Sequence, residues 1–213
     1  VRNESLPAIE DRGRLLFDRV QVVAWAAERG RVAKAGFLAP TRPAASPGRR
    51  IESLLRTGGI WRDVPAADLL NLLERIVSGL PGATPDVRKI LAQRLHAPGG
   101  INWATVGHGL ALPHLRAHVA LGRDSGLLAI IFLRDALTLP EAPPDGVPVT
   151  RLLFFIAPSP RAHLEMLAQL STTLTRGSLR GLLLQGALDS EIYTALAAAE
   201  ASGANPSGME GKK

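Results

Sequence analysis

Two short runs, GLLAIIFL (126–133) and TRLLFFIAP (150–158), constrain the fold more than any other feature of this chain. Both are rich in Leu, Ile and Phe, almost free of polar side chains, and bounded by Gly or Pro. A strand with one wet face alternates polar and apolar residues, so runs that do not alternate are strands buried on both faces. Helices must therefore cover such a sheet, and the flanking sequence supplies them. PAADLLNLLERIVSGL places Leu69, Leu72, Leu73, Ile76, Val77 and Leu80 on one helical face, ending near Gly79 or Gly82. TPDVRKILAQRLH follows, with Thr84 as N-cap, Pro85 at the first helical position, and Val87, Ile90, Leu91 and Leu95 turned inward. SPRAHLEMLAQLSTTL (159–174) has Ser159 as N-cap, Pro160 at the first position and a stripe of Leu164, Leu167, Leu170 and Leu174. DSEIYTALAAAE (189–200) reads as one more helix. The expected fold is α/β: a small mixed β-sheet sandwiched by helices over residues 51–200, one main core in a chain of 213 residues.

The front of the chain has a different texture. Residues 1–50 carry ten Lys/Arg against five Asp/Glu, whereas 51–213 carry fifteen against fourteen, so a basic front of net +5 precedes a nearly neutral body. Such asymmetry points to an acidic partner, nucleic acid above all, or simply to a solubilising flank. LPAIEDRGRLLFDRV alternates about an Asp-Arg-Gly turn and reads as a hairpin; DRVQVVAWAAERG reads as a helix from Asp18 to Gly30 with Gln21 at the reciprocal capping position. The proline-rich stretch 37–50 has no helical or strand period and reads as a linker, and 201–213, rich in Gly and Ser, as a disordered tail. No apolar run approaches the roughly 20 residues that span a bilayer. The first residues show no apolar signal region and cysteine is absent, so no membrane insertion and a cytoplasmic address are expected.

Three of the five histidines fall within TVGHGLALPHLRAH (105–118). Leu110 and Leu112 alternate into a core, Gly107 and Gly109 allow close backbone approach, and Pro113 fixes the chain direction just before His114. A neutral imidazole delivered this way is a competent nitrogen nucleophile, and a phosphoryl group that it accepts can be passed on. Transfer asks for cations around the moving charge. Arg116 is two residues away, and Arg94 and His163 stand at the ends of two helices that flank the sheet. A histidine on a loop is more often solvated or capping than nucleophilic, and Arg94, Arg116 and His163 are equally acceptable as surface residues. The clustered His108, His114 and His118 offer a metal-site alternative, but they share no short helical register and have no carboxylate among them, and His96 has only its residue type to suggest a role.

GHGLALPHLR resembles the phosphorylation-site signature of the enzyme IIA domains of the bacterial phosphoenolpyruvate-dependent phosphotransferase system, in the fructose, mannitol and nitrogen-regulatory class, whose pattern runs roughly G-x-G-[IL]-A-[ILV]-P-H. PDGVPVTRLLFFIAPSPRAHLEMLAQLS (144–171) resembles that class's D-G-x-P-V, apolar strand, A-P, H-L-x-x-L-A-x-L block, in the right order and spacing. The resemblance implies His114 as the phosphorylated nucleophile, His163 as the histidine facing it and Arg94 as the helix-end arginine nearby. Arg116 is a further candidate cation. It also implies an HPr-type phosphocarrier as partner and no cofactor or resident metal. This chain departs from the class at Leu95, His108 and Leu115, where Glu, Asn and Gly are common. More weakly, LPAIEDRGRLLFDRVQVVAWAAERG resembles the end of an excisionase or MerR-like winged helix, which implies DNA as a partner of a longer front domain (1–36 being its remnant) and a use in transcriptional regulation. On these grounds the imidazoles of His114 and His163 are expected to face each other across a shallow surface depression, with Arg94 or Arg116 in reach and Leu115 on the docking rim. The alternative is a partner- or ligand-binding regulatory domain without transfer.

Overall fold

The computed structural model describes residues Ile9–Asp11, Arg14–Leu16, 50–117, 119, 121 and 125–204. In the front segment β1 (Ile9–Asp11) pairs antiparallel with β2 (Arg14–Leu16), Asp11 opposite Arg14, as the hairpin reading expects. The expected helix over 18–30 and the expected linker lie outside the described residues, apart from Arg50.

The body begins with α1 (Ile51–Gly58) and β3 (Ile60–Val64), then a 3-10 turn (Ala66–Asp68) leading into α2 (Leu69–Ser78) and α3 (Pro85–His96). Four short strands follow: β4 (Ile101–Asn102), β5 (Thr105–Gly107), β6 (Leu110–Ala111) and β7 (His114–Leu115). The long strands β8 (Leu127–Leu133) and β9 (Arg151–Ile156) are the two apolar runs, and α4 (Pro160–Arg176), α5 (Leu179–Gln185) and α6 (Asp189–Ala204) complete the order. Among the described residues the sheet of the body has seven strands, ordered β3-β8-β9-β6-β5, with β7 pairing both β4 and β9. It is mixed: β3 runs parallel to β8, β8 antiparallel to β9, and β6 and β7 parallel to β9.

Side-chain alternation along the central strands divides the interior into two cores. Leu127, Ala129, Ile131 and Leu133 of β8, with Leu152, Phe154 and Ile156 of β9, face α2 and α3. The intervening Leu128, Ile130 and Phe132, with Leu153 and Phe155, face α1, α4, α5 and α6. No strand residue from Leu127 to Leu133 is wetted on either face, which is why the sequence shows an apolar run there and no period of two. The caps expected from the sequence are present: Thr84 Oγ1 accepts from Val87 N and Ser159 Oγ from Ala162 N. One boundary needs correction. Helix α6 runs to Ala204, four residues into the stretch read as a tail, because alanine and glutamate after position 196 sustain helix propensity past Ser202 and Gly203. Residues 205–213 lie outside the described residues. Among the described residues no helix is long and apolar enough to cross a membrane.

Candidate functional site

The alternation that sorts Leu110, Ala111 and Leu112 between the two cores also decides where the next residues point. Leu110 and Leu112 enter the core under α4, Ala111 and Leu115 the opposite core. His114, two residues after Leu112, stays on the α4 side and packs against Phe155, its pairing partner in β9. Ser159 and Pro160 start α4 directly after β9, and His163 N donates to Ser159 O as the helix's first main-chain bond to its cap residue. This puts His163 one turn into the helix, over the same strand end. The result is a cluster of three rings: His114 and His163 at 4.8 Å between centroids, edge to face, with Phe155 5.5 Å from the first and 5.0 Å from the second.

Hydrogen bonds fix the chemistry of the His114 ring. Its Nδ1 lies 2.8 Å from Leu112 O, and a carbonyl oxygen only accepts, so Nδ1 carries the proton. In the neutral ring the lone pair is then on Nε2. Asn102 Nδ2 lies 3.3 Å from that nitrogen, placed there because Asn102 and His114 are opposite residues of the β4–β7 pair. The orientation of the Asn102 amide is set independently, since its Oδ1 accepts from Ala104 N at 3.2 Å. Both imidazoles are well covered, His114 being 4% and His163 7% exposed. The two rings are thus nearly covered where they meet. Leu115, expected on the rim, is instead buried: period-two alternation sends it into the core beneath α2 and α3.

A backbone contact joins the segments that carry the two arginines. Gly100 bonds through its N to Ala97 O and through its O to Arg116 N, which ties the end of α3 to the residue after β7. A Cβ at position 100 would stand 1.8 Å from Arg94 O, so only glycine permits this approach. Arg94 is half-buried, and its Nε is shielded from solvent with no hydrogen-bond partner among the described residues. Arg116 is exposed.

The other histidines go elsewhere. His96 Nε2 donates to Glu74 Oε2 at 2.9 Å, pinning the end of α3 to α2. His108 is exposed at φ 56° between two left-handed glycines, and its N–H donates to Asp145 Oδ2, while Val147 N donates to Asp145 Oδ1. These bonds, that from His108 foremost, hold the Asp145 carboxyl below the usual carboxylate range. Asp145 thereby clamps the 107–109 turn that feeds β6 and, through it, His114. His118 lies outside the described residues. Among the described residues no group of three or more His, Asp or Glu is placed to hold a metal ion. Sequence reasoning missed Asn102 and Phe155 as members of the cluster; an Asn between Ile and Trp just ahead of the glycine-punctuated segment was the available signal for the first.

No protein-family model matches this chain, and no curated protein matches it. Solved structures do. A candidate PTS IIA (PtxA) from Streptococcus mutans aligns at 15% identity and TM-score 0.53, over 72% of this chain and 97% of that one. The nitrogen regulatory protein IIA-Ntr from Neisseria meningitidis aligns at 23% identity and TM-score 0.43, over 66% of this chain and 93% of its own. A candidate PTS IIA domain from Streptococcus pyogenes M1 GAS aligns at 16% identity and TM-score 0.48, over 71% and 98%. The Streptococcus mutans alignment establishes a shared fold: the mixed sheet between helices expected over 51–200 is an architecture that a IIA-type structure also has.

Proposed function

We propose that the body of this chain is a phosphohistidine relay domain, in which His114 accepts a phosphoryl group from an HPr-type phosphocarrier through Nε2. The observation that carries the reading is the Nδ1–Leu112 carbonyl bond, which leaves the lone pair on Nε2 of a ring that packs edge to face with His163. In the transfer the Nε2 lone pair forms the new N–P bond while the donor's N–P bond breaks and its electron pair returns to the donor nitrogen. Positive charge moves from the donor ring to His114, where Leu112 O continues to accept the Nδ1 proton and supports it. His163 stands within the first turns of α4, and the positive end of that helix favours a neutral imidazole and a nearby phosphoryl group by roughly 0.3–1 kcal/mol. Arg94 supports the same reading, because a shielded guanidinium N–H without a partner among the described residues is a donor suited to an arriving anion. Arg116 adds positive charge at the exposed approach. By the resemblance of residues 6–30 to a winged-helix end, the relay would report to transcription through a DNA-binding front domain.

A second reading, a regulatory domain that binds a partner or ligand without transfer, is favoured by one observation: the near-complete covering of His114 and His163. Incubation with phosphoenolpyruvate, enzyme I and HPr separates the two. The relay reading expects an acid-labile, base-stable gain of one phosphate that is lost in His114→Ala; an unmodified, folded protein favours the second.

A further inference from the structure

The β4–β7 pair places a residue that nothing in the phosphorylation motif anticipates against the reacting nitrogen. Asn102 is 7% exposed, sits opposite His114 across the strand pair, and meets His114 Nε2 with its Nδ2 at 3.3 Å. The amide is not free to turn over. Its Oδ1 takes the Ala104 N–H, and β4 is anchored on its other side by Ile101, buried in the core beneath α2 and α3. A donor is therefore held against Nε2, on the far side of the ring from the Leu112 carbonyl. An acceptor there would invite a proton onto Nε2 and remove the lone pair; a donor opposes that proton.

We propose that Asn102 is a positioning residue for His114: its amide N–H keeps Nε2 unprotonated in the resting ring, and turns to an oxygen of the phosphoryl group once that group is attached. The inference rests on the relay reading and deepens it. Two bonds of the amide have different parts. Oδ1 to Ala104 N serves the fold, and Nδ2 to Nε2 serves the histidine. Asn102→Asp keeps the first and inverts the second, since a carboxylate oxygen facing Nε2 accepts.

The test uses the whole chain, 15N-labelled at histidine and unphosphorylated, at neutral pH. In the wild type the His114 Nε2 resonance is expected in the range of a nitrogen bearing a lone pair; in Asn102→Asp it should move to that of a protonated nitrogen, with the rest of the spectrum little changed. A protonated Nε2 in the wild type, or an Asn102→Asp protein whose Nε2 stays bare, overturns the proposal. Should the Asp variant fail to fold, Asn102→Ala carries the test: phosphorylated by HPr, it should lose its phosphoryl group to water about tenfold faster than the wild type, the scale of one lost hydrogen bond to a charged group. An unchanged lifetime would contradict the proposal. Failure of the wild type to be phosphorylated at all would sink the relay reading alone, because the resonance of the resting ring tests Asn102 without any transfer.

Discussion

The imidazoles of His114 and His163 stand edge to face with 4.8 Å between their centroids, although 49 positions separate them in the chain. Two independent constructions bring them together: period-two alternation through Leu110 and Leu112, and a Ser-Pro helix start directly after β9. His163→Ala is expected to slow phosphorylation by about 10²–10⁴, the range for a lost acid–base or charge-stabilising group. Stopped-flow or quench kinetics with phospho-HPr check it. A mutant that is folded by circular dichroism and accepts at the wild-type rate would remove His163 from the mechanism.

Arg94 and Arg116 differ in setting, and their removal should differ in effect. Arg94→Ala, which takes away a shielded donor at the end of α3, is expected to slow transfer by about 10²–10³. Arg116→Ala, which takes away an exposed charge, should instead weaken the encounter with HPr and reduce its salt dependence. Rate against HPr concentration at two ionic strengths distinguishes these outcomes. Equal, salt-independent effects would show that the two cations do not play separate parts.

How much of this arrangement the sequence disclosed follows from the length of each signal. The central strands and the helices capped by Thr84 and Ser159 were legible because six or more residues repeat one message, and the helices also announce their starts with a cap. The strands β4 to β7 are two or three residues long, too short to carry a period, and β3 reads IWRDV with a half-wet pattern. Asn102 was hidden for the same reason: its place beside His114 is a cross-strand register, and register is set by tertiary pairing. Position could be read from GHGLALPH, but exposure could not, since Phe155 of β9 and His163 of α4, which pack against His114, come from distant sequence.

Gly100 is where the end of α3 touches the β4–β7 region, and it leaves no room for a side chain. Gly100→Ala would drive a Cβ to 1.8 Å from Arg94 O, a backbone atom that cannot swing aside. Overpacking of this kind costs about 1–3 kcal/mol, so Tm should fall by several degrees for a domain of this size. Thermal unfolding measures it. An unchanged Tm would mean that α3 shifts freely relative to β4.

Asp145 makes stability depend on pH in a defined window. Its carboxyl is held low mainly by the His108 N–H, so the bond stabilises the fold above the ordinary carboxylate range of about 4 and is lost as pH falls through and below it. Asp145→Ala should therefore melt below the wild type at pH 7, with the gap closing towards pH 2. Melting curves across that range check the sign. A gap that widens in acid would contradict the assignment.

Whether His114 carries a phosphoryl group decides between a relay and a binding domain. Intact-mass measurement of the full chain after incubation with phosphoenolpyruvate, enzyme I and HPr is the most direct test, repeated on His114→Ala shown to be folded. The predicted result is a single added phosphate on the wild type, labile in acid and stable in base, and none on the variant. A folded wild type that gains no phosphate, or a phosphate that persists on His114→Ala, would contradict the account.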